Sequence, residues 1–390
     1  MINAFVESSI RTATRPTWAE ISLAALRQNY CALKQHLGVQ INICAVIKAD
    51  AYGHGATPCA LALQEEGSDW FGVTSLDEAI PLRDFGIRAR ILLMTGFWPG
   101  EQEELIRLDL TPTIWTLDQV SLLEKSSAAL GRRAYPVHLK IDTGMGRLGV
   151  SLEDLPQLCA VLHTSPHLRL EGVSTHLASS EVLDDPSVDE QLRAFDRARA
   201  TLRDSGFDPS LIHLANTSAM LSRRQTWHNM VRPGLALYGY QLPVQRNGNQ
   251  MPGNVLPLQP VLSWKTRILS IRNIPANQAI GYGGTYRTRS SSRIAVLPLG
   301  YADGLNRQLS SRGRVIIRGN YAPIVGRISM DLTLVDVTAI PGASEGDEAI
   351  LIGASGGIEV SAHEHAELCG TIPYEILCAI SKRVPRRYIP

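Results

Sequence analysis

Lys48 ends the run Ala45-Val46-Ile47-Lys48, where small apolar neighbours impose a desolvation cost that favours its neutral amine. A neutral amine is what Schiff-base formation with an aldehyde requires. On position alone a blander reading stays open: a strand-end lysine that snorkels to solvent or pairs with Asp50. Other polar residues recur at the ends of later apolar runs. They are Lys140-Ile-Asp142-Thr-Gly-Met-Gly-Arg147, then His176, then Asn216-Thr217-Ser218. His176 taken singly reads as a satisfied core histidine. Arg232, in Met-Val-Arg232-Pro-Gly234-Leu235, taken singly reads as a surface arginine in a turn. Together they describe an anion site, because N–H groups near Gly234 can cradle a dianion and Thr217 or Ser218 can add a hydroxyl.

These residues need elements to hold them. Between about residues 40 and 240 the sequence predicts eight strands, at 43–49, 70–75, 91–96, 110–116, 135–142, 170–177, 211–216 and 231–239. Their near-continuous apolar character suits a parallel sheet buried on both faces. Helical patterns fill the gaps, as at 76–86 and 189–206. Eight strand–helix units predict a (β/α)8 TIM-like barrel, whose active site gathers at the C-terminal strand ends, with phosphate at strands seven and eight. Residues 241–260 are rich in Pro, Gly and Asn and read as a linker. Beyond them, β-branched runs separated by turn residues predict a mostly antiparallel β domain. This region supplies Tyr282, Tyr301, Met330 and Asp331. An early segment, 17–23, also reads as extended, before a helical pattern at 24–38. His363 and His365 are two apart and do not share a helix face, so a solvated surface is expected there rather than a metal site.

Length and composition narrow the classes. The 390 residues suit two domains. With 44% hydrophobic and 19% charged residues and a net charge of +1, the chain reads as an ordinary globular protein with no electrostatic case for nucleic acid or membrane. Six cysteines are scattered at 31, 44, 59, 159, 369 and 378 without a C-x-x-C pair, so reduced thiols and no structural zinc are expected. The first residues lack the apolar core of a signal peptide, and no apolar run reaches about 18 residues. A cytoplasmic location is expected.

In this order the motifs AVIKADAYGHG, KIDTGMGRLG, THLASS, VRPGLALYG, GYGGTY, LGYADG, GRISMDLT and TIPYEI resemble the alanine racemase family over almost the whole chain. The resemblance implies a barrel domain over 24–243 carrying pyridoxal 5'-phosphate. It implies a β domain over 244–390, joined by an N-terminal strand at 12–23. It also implies a homodimer in which the β domain of one subunit completes the active site of the other, acting on a small amino acid.

By the same resemblance, Lys48 forms the aldimine with the cofactor and is the base on one face of the substrate Cα. Tyr282, from the partner subunit, is the base on the other face. The phosphate falls to Tyr52, Thr217 or Ser218, the backbone at Gly234 and Leu235, and Tyr374, with Asn216 also among the cofactor-binding residues. Arg232 faces the pyridine nitrogen, with His176 beside the ring. Arg147, Met330 and Tyr301 border the substrate, and Lys140 is a candidate for carbamylation. The chain departs from the pattern at Thr217, at Pro373 before Tyr374, and at Ser329. The implied reaction interconverts L- and D-alanine, for peptidoglycan supply or D-alanine breakdown. A serine or broader-range racemase of the same fold is the alternative. A decarboxylase or dehydratase with the same cofactor fits the motif order less well. So does a non-catalytic cofactor carrier, given the long β domain and Tyr282.

Overall fold

The computed structural model describes residues 15–251 and 256–390. The expected strand residues 12–14, part of the 241–260 linker and the segment read for a signal peptide lie outside the described residues. The chain divides into two compact units. Of the described residues, one comprises Arg27–Ala51 and those within Cys59–Gln259; the other comprises residues 15–26, Tyr52–Pro58 and Pro260–Pro390.

The first unit is a closed parallel barrel. After β1 (Thr17–Ser22), the barrel strands are β2 (Asn42–Val46), β3 (Trp70–Val73), β4 (Arg90–Leu93), β5 (Thr111–Ile114), β6 (Tyr135–Lys140), β7 (Leu168–Ser174), β8 (Leu211–His213) and β9 (Met230–Val231). β9 closes the ring by pairing in parallel with β2. Each predicted barrel strand has a counterpart, but the eighth is far shorter than 231–239. Pro233 has no N–H to give a ladder, and the chain turns at Gly234 into a 3-10 helix over Leu235–Tyr238. This early end leaves Arg232 just past the strand.

The surrounding helices begin where their caps dictate. Thr116 and Gln119 form a capping box for Leu117–Ala129. Pro186 opens the helix Pro186–Asp204 behind an Asp185 cap, and Val188, Gln191, Phe195, Ala198 and Leu202 recur on its buried face. Each large apolar side chain buried this way contributes about 1.5–3 kcal/mol.

The second unit is mostly antiparallel β. In its largest sheet Asn320–Pro323, Arg314–Ile317, Glu348–Ser355, Leu262–Arg267, β1 and Arg386–Ile389 lie in that order. β1 therefore belongs to this sheet, antiparallel to Leu262–Arg267 and parallel to Arg386–Ile389. A smaller sheet joins Ser270–Ile274, Ser292–Leu297 and Thr333–Asp336. Two helices, Ala362–Cys369 and Pro373–Ala379, follow. They correct one sequence expectation: His365 is only 2% exposed, with Nε2 unpartnered, so the histidine pair is not a solvated patch.

Candidate active site

Lys48 lies two residues beyond β2, and the backbone around it is tied on both sides. Val46 N–H donates to the Pro233 carbonyl at 2.9 Å, and Ile47 N–H to the Gly72 carbonyl at 3.0 Å. The Tyr238 hydroxyl donates to the Val46 carbonyl at 3.0 Å. Ala51 N–H then donates to the Ile47 carbonyl at 2.8 Å. That last bond closes a left-handed turn: Ala49, Asp50, Ala51 and Tyr52 have φ of 52, 54, 54 and 55°. For residues with a Cβ this costs roughly 1–2 kcal/mol each, and such residues visit the region singly as a rule. Four in succession directly after Lys48 mark local strain held by its surroundings.

The end of β6 presents Lys140, and the loop after it presents Arg147. Asp142 accepts hydrogen bonds from the N–H groups of Gly144 and Gly146 at 3.0 and 3.1 Å, which curls the Thr-Gly-Met-Gly segment. Gly149 closes the loop at φ +133°, where a Cβ would meet the Asp142 nitrogen at 2.4 Å. Cations concentrate here. Burial, then Arg232, Arg147 and Lys48, lower the Lys140 pKa to about 8. Burial, then Arg232, Arg147, Lys140 and Lys48, lower that of His176 to about 3, so its ring is neutral.

Arg232 is buried, and burial lowers its pKa to about 10, which leaves it charged at neutral pH. Its Nη1 donates to His213 Nδ1 and to the His213 carbonyl, both at 2.6 Å. Its Nη2 donates to the carbonyls of Thr175 and Leu214 at 2.8 and 3.1 Å, and reaches His176 Nδ1 at 3.5 Å. The Nε–H makes no hydrogen bond among the described residues. A guanidinium offers no lone pair, so His213 Nδ1 must accept and the ring proton sits on Nε2. That proton points to His138 Nδ1, 2.9 Å away. His138 then carries its own proton on Nε2, 3.5 Å from a Glu171 carboxylate oxygen, beyond good hydrogen-bond length. Arg90 and Arg169 donate to that carboxylate at 2.8 and 2.9 Å. Burial alone would raise the Glu171 pKa, but His138, Arg90 and Arg169 hold it well below the usual carboxylate range.

Asn216 caps the short helix Thr217–Ser222, its side chain accepting from Ala219 N–H at 2.9 Å. The Thr217 hydroxyl accepts from the N–H groups of Gly234 and Ala236 at 3.0 and 3.4 Å. A hydroxyl and two backbone N–H groups thus converge beside Gly234 and Leu235. Ser218 is buried one position on, its carbonyl accepting from Ser222 Oγ at 2.7 Å.

Within the second unit, the rings of Tyr52 and Tyr374 pack 5.6 Å apart. Pro373 sits at the first turn of its helix, where a missing N–H costs nothing. Arg386 Nε donates to the Gly53 carbonyl at 2.9 Å while its Nη1 holds Ser381 and Val384 carbonyls at 2.6 and 2.7 Å, tying the C-terminal tail to the turn beside Tyr52. Tyr301 and Ala302 donate their N–H groups to the carbonyls of Ser329 and Met330, joining two of the motifs. Tyr282 follows Gly281, whose missing Cβ faces Arg327 N at 3.5 Å. Tyr282, Met330 and Tyr301 are 70%, 53% and 43% exposed, unusual for such side chains.

The barrel unit therefore brings Lys48, Lys140, Arg147, His176 and Arg232 into one electrostatic cluster, with Asn216, Thr217, Ser218, Gly234 and Leu235 at neighbouring strand ends. Tyr52, Tyr374, Tyr282, Tyr301 and Met330 lie in the other unit. The sequence expectation omitted His213, His138 and Glu171. Their signal was a polar side chain within a barrel strand: His138 in Tyr135–Lys140, Glu171 beside Arg169 in Leu168–Ser174, and His213 at the end of Leu211–His213. Among the described residues no group of side chains could hold a metal ion, and no disulfide joins the six cysteines.

A cluster of cations at the C-terminal ends of a parallel barrel, in a chain with a second, mostly antiparallel β unit, defines a barrel enzyme built to hold an anionic ligand. Residues 21–242 match the model for the alanine racemase N-terminal domain, and residues 261–388 that for its C-terminal domain. The alanine racemase of Syntrophobacter fumaroxidans is 43% identical over 94% of this chain and 96% of its own. The alanine racemase structure from Clostridium difficile superposes with a TM-score of 0.89 at 35% identity, covering 97% of each chain. That from Bartonella henselae, with covalently bound pyridoxal phosphate, gives 0.84 at 30% identity, covering 96% of this chain and 99% of that one. The chain belongs to the alanine racemase family, and its activity is that of an alanine racemase.

Proposed function

We propose that the enzyme interconverts L- and D-alanine with pyridoxal 5'-phosphate held on Lys48. The observation that carries this reading is Arg232. Four of its five N–H donors are spent on His213, Thr175, Leu214 and His176, and the Nε–H alone is left for a ligand acceptor such as a pyridine nitrogen. The donor set also fits the dianionic group. The Thr217 hydroxyl accepts from the Gly234 and Ala236 amides, which leaves its own proton to donate and favours Thr217 over Ser218 as the phosphate hydroxyl, with Asn216 shaping the turn. Leu235 adds its backbone, and we assign Tyr52 and Tyr374 to the same phosphate.

The cofactor, when bound, draws electron density away from the substrate Cα and so acidifies its proton. The protein does the rest. Lys48 takes a proton as the neutral amine or returns one as the ammonium on one face of Cα, and Tyr282 of the partner subunit takes one as phenolate or returns one as phenol on the other. Arg147 orients the substrate carboxylate, and Met330 and Tyr301 of the partner subunit border the entrance; their exposure within one subunit supports a shared site in a homodimer. Arg232, which stays protonated, would donate its Nε–H to the ring nitrogen of the cofactor without giving the proton away, and would so disfavour side reactions such as transamination. His176 stays neutral beside the ring. Lys140, as a carbamate, orients Arg147.

The barrel over 24–243 carries the cofactor, and the β domain over 244–390 with its N-terminal strand serves the partner. The product supplies peptidoglycan, or the reverse reaction degrades D-alanine. Among the described residues no helix is long and apolar enough to cross a membrane, and we place the enzyme in the cytoplasm. Borohydride reduction of the cofactor-loaded protein followed by peptide mapping tests the reading. Modification is expected at Lys48, with racemisation lost in Lys48→Ala. Modification at another lysine contradicts it.

A further inference from the structure

We infer that Glu78 is a positioning residue for Lys48, holding the left-handed turn that presents the lysine; this rests on Lys48 being the cofactor lysine. Glu78 lies in the first turn of the helix Leu76–Asp84, three residues after its cap Ser75. A glutamate there ordinarily reaches back to the N–H of its own cap residue. Here it does not. One carboxylate oxygen accepts from Ala49 N–H at 2.6 Å. The other accepts from Thr74 N–H at 2.7 Å and from the Thr74 hydroxyl at 2.9 Å. Both oxygens are therefore used to join two strand ends, the Thr74 end of β3 and the residue directly after Lys48.

The place of this contact gives it its role. Ala49 is the first of the four consecutive left-handed residues, at φ 52° and ψ 48°. The backbone before Lys48 is pinned through Val46 and Ile47, and Ala51 N–H closes the turn on Ile47. The Ala49 amide lies inside that turn and points out of it, and the Glu78 carboxylate is what receives it. Without that acceptor, Ala49 is free to return to a right-handed or extended conformation, and the direction of the adjacent Lys48 side chain changes with it. Hydrogen bonds to a charged acceptor are the stronger kind. Glutamine cannot replace Glu78, because it offers one acceptor oxygen to donors on both sides and turns an NH2 toward an N–H. Ser75 caps the helix independently of the Glu78 carboxylate, its hydroxyl accepting from the Glu78 N–H, so the helix has a means of surviving the loss.

The test uses the full-length protein, freed of cofactor and mixed with pyridoxal 5'-phosphate. Condensation of the Lys48 amine with the aldehyde, which releases water, is followed by absorbance and by borohydride trapping with peptide mapping. Glu78→Ala and Glu78→Gln are expected to weaken or slow this step about tenfold or more, the scale of a charged hydrogen bond. Hydrogen exchange at the Ala49 amide is expected to accelerate while the thermal midpoint and far-ultraviolet spectrum stay close to wild type. Ala49→Gly, which removes the penalty for the left-handed conformation, is expected to restore most of the loss in the Glu78→Ala background.

Wild-type rates in both Glu78 variants would overturn the inference, as would failure of the glycine to rescue, which would mark Glu78 as acting through its charge. If the wild-type protein is trapped at a different lysine, the cofactor assignment itself fails. Trapping at Lys48 with no effect of Glu78 fails the inference alone.

Discussion

Arg232 donates to His213 Nδ1 across 2.6 Å, and this one bond fixes the direction of a buried polar chain through the barrel. Because the arginine can only donate, the protons of His213 and His138 both point away from it, toward Glu171. Two neutral imidazoles thus link the cation at the active-site end to a carboxylate held by Arg90 and Arg169. Burial, with Arg232 also contributing, keeps both rings below the ordinary histidine pKa, His213 well below it.

Nitrogen NMR of ring-labelled protein checks this directly. His213 and His138 are expected to show the neutral tautomer with the proton on Nε2, unchanged from pH 8 down to pH 6. A charged ring, or a proton on Nδ1 of His213, contradicts the chain as drawn.

The same burial has a consequence for stability. His138, His176, His213 and His365 all have native pKa values lowered by burial first, to about 3 for His176 and about 4 for His365. In the unfolded chain each titrates near its usual value of about 6.5. Unfolding therefore takes up protons as the pH falls below that value, and the stability present above it is lost on the way down. Each such histidine contributes up to about 1.4 kcal/mol per pH unit in that window. Urea unfolding between pH 7 and pH 5 is expected to show a steep loss, flatter by about one proton in His365→Phe. Stability independent of pH over that range would contradict it.

Lys140 carries a distinct pH signature. With its pKa lowered to about 8, by burial and then by Arg232, Arg147 and Lys48, its neutral amine is already abundant in mildly alkaline solution. Attack of that amine on carbon dioxide, with loss of one proton, gives a carbamate anion among cations. Carbon NMR with labelled bicarbonate is expected to show a carbamate signal at pH 8 that fades toward pH 6 and is absent in Lys140→Ala. A signal that persists in Lys140→Ala, or none at pH 8, contradicts the assignment.

Much of the barrel was legible because parallel strands buried on both faces write continuous apolar runs, and seven of the eight predictions fell on real strands of comparable place. The last was read too long, since Leu235–Tyr238 is as apolar as a strand while Pro233 and Gly234 end the ladder. Lys48, Lys140 and Arg232 stand out in sequence because a cation at an apolar strand end is conspicuous, and Arg147 because it follows a glycine-rich turn next to one of them. His138, His213 and Glu171 do not, because their meaning lies in pairing across strands far apart in the chain. Glu78 is hidden for a related reason: an acidic residue in a helix first turn looks like an ordinary response to the helix dipole, and only the fold shows that it reaches Ala49.

The most direct measurement of the central claim, one active site built from Lys48 of one subunit and Tyr282 of another, is complementation. Lys48→Ala and Tyr282→Phe proteins, each expected to be nearly inactive alone, are mixed, dissociated and reassociated. Random pairing places one intact combination in half of the dimers, so about a quarter of wild-type racemisation is expected to return. No recovery in a mixture shown to contain the mixed dimer would contradict the shared two-base site.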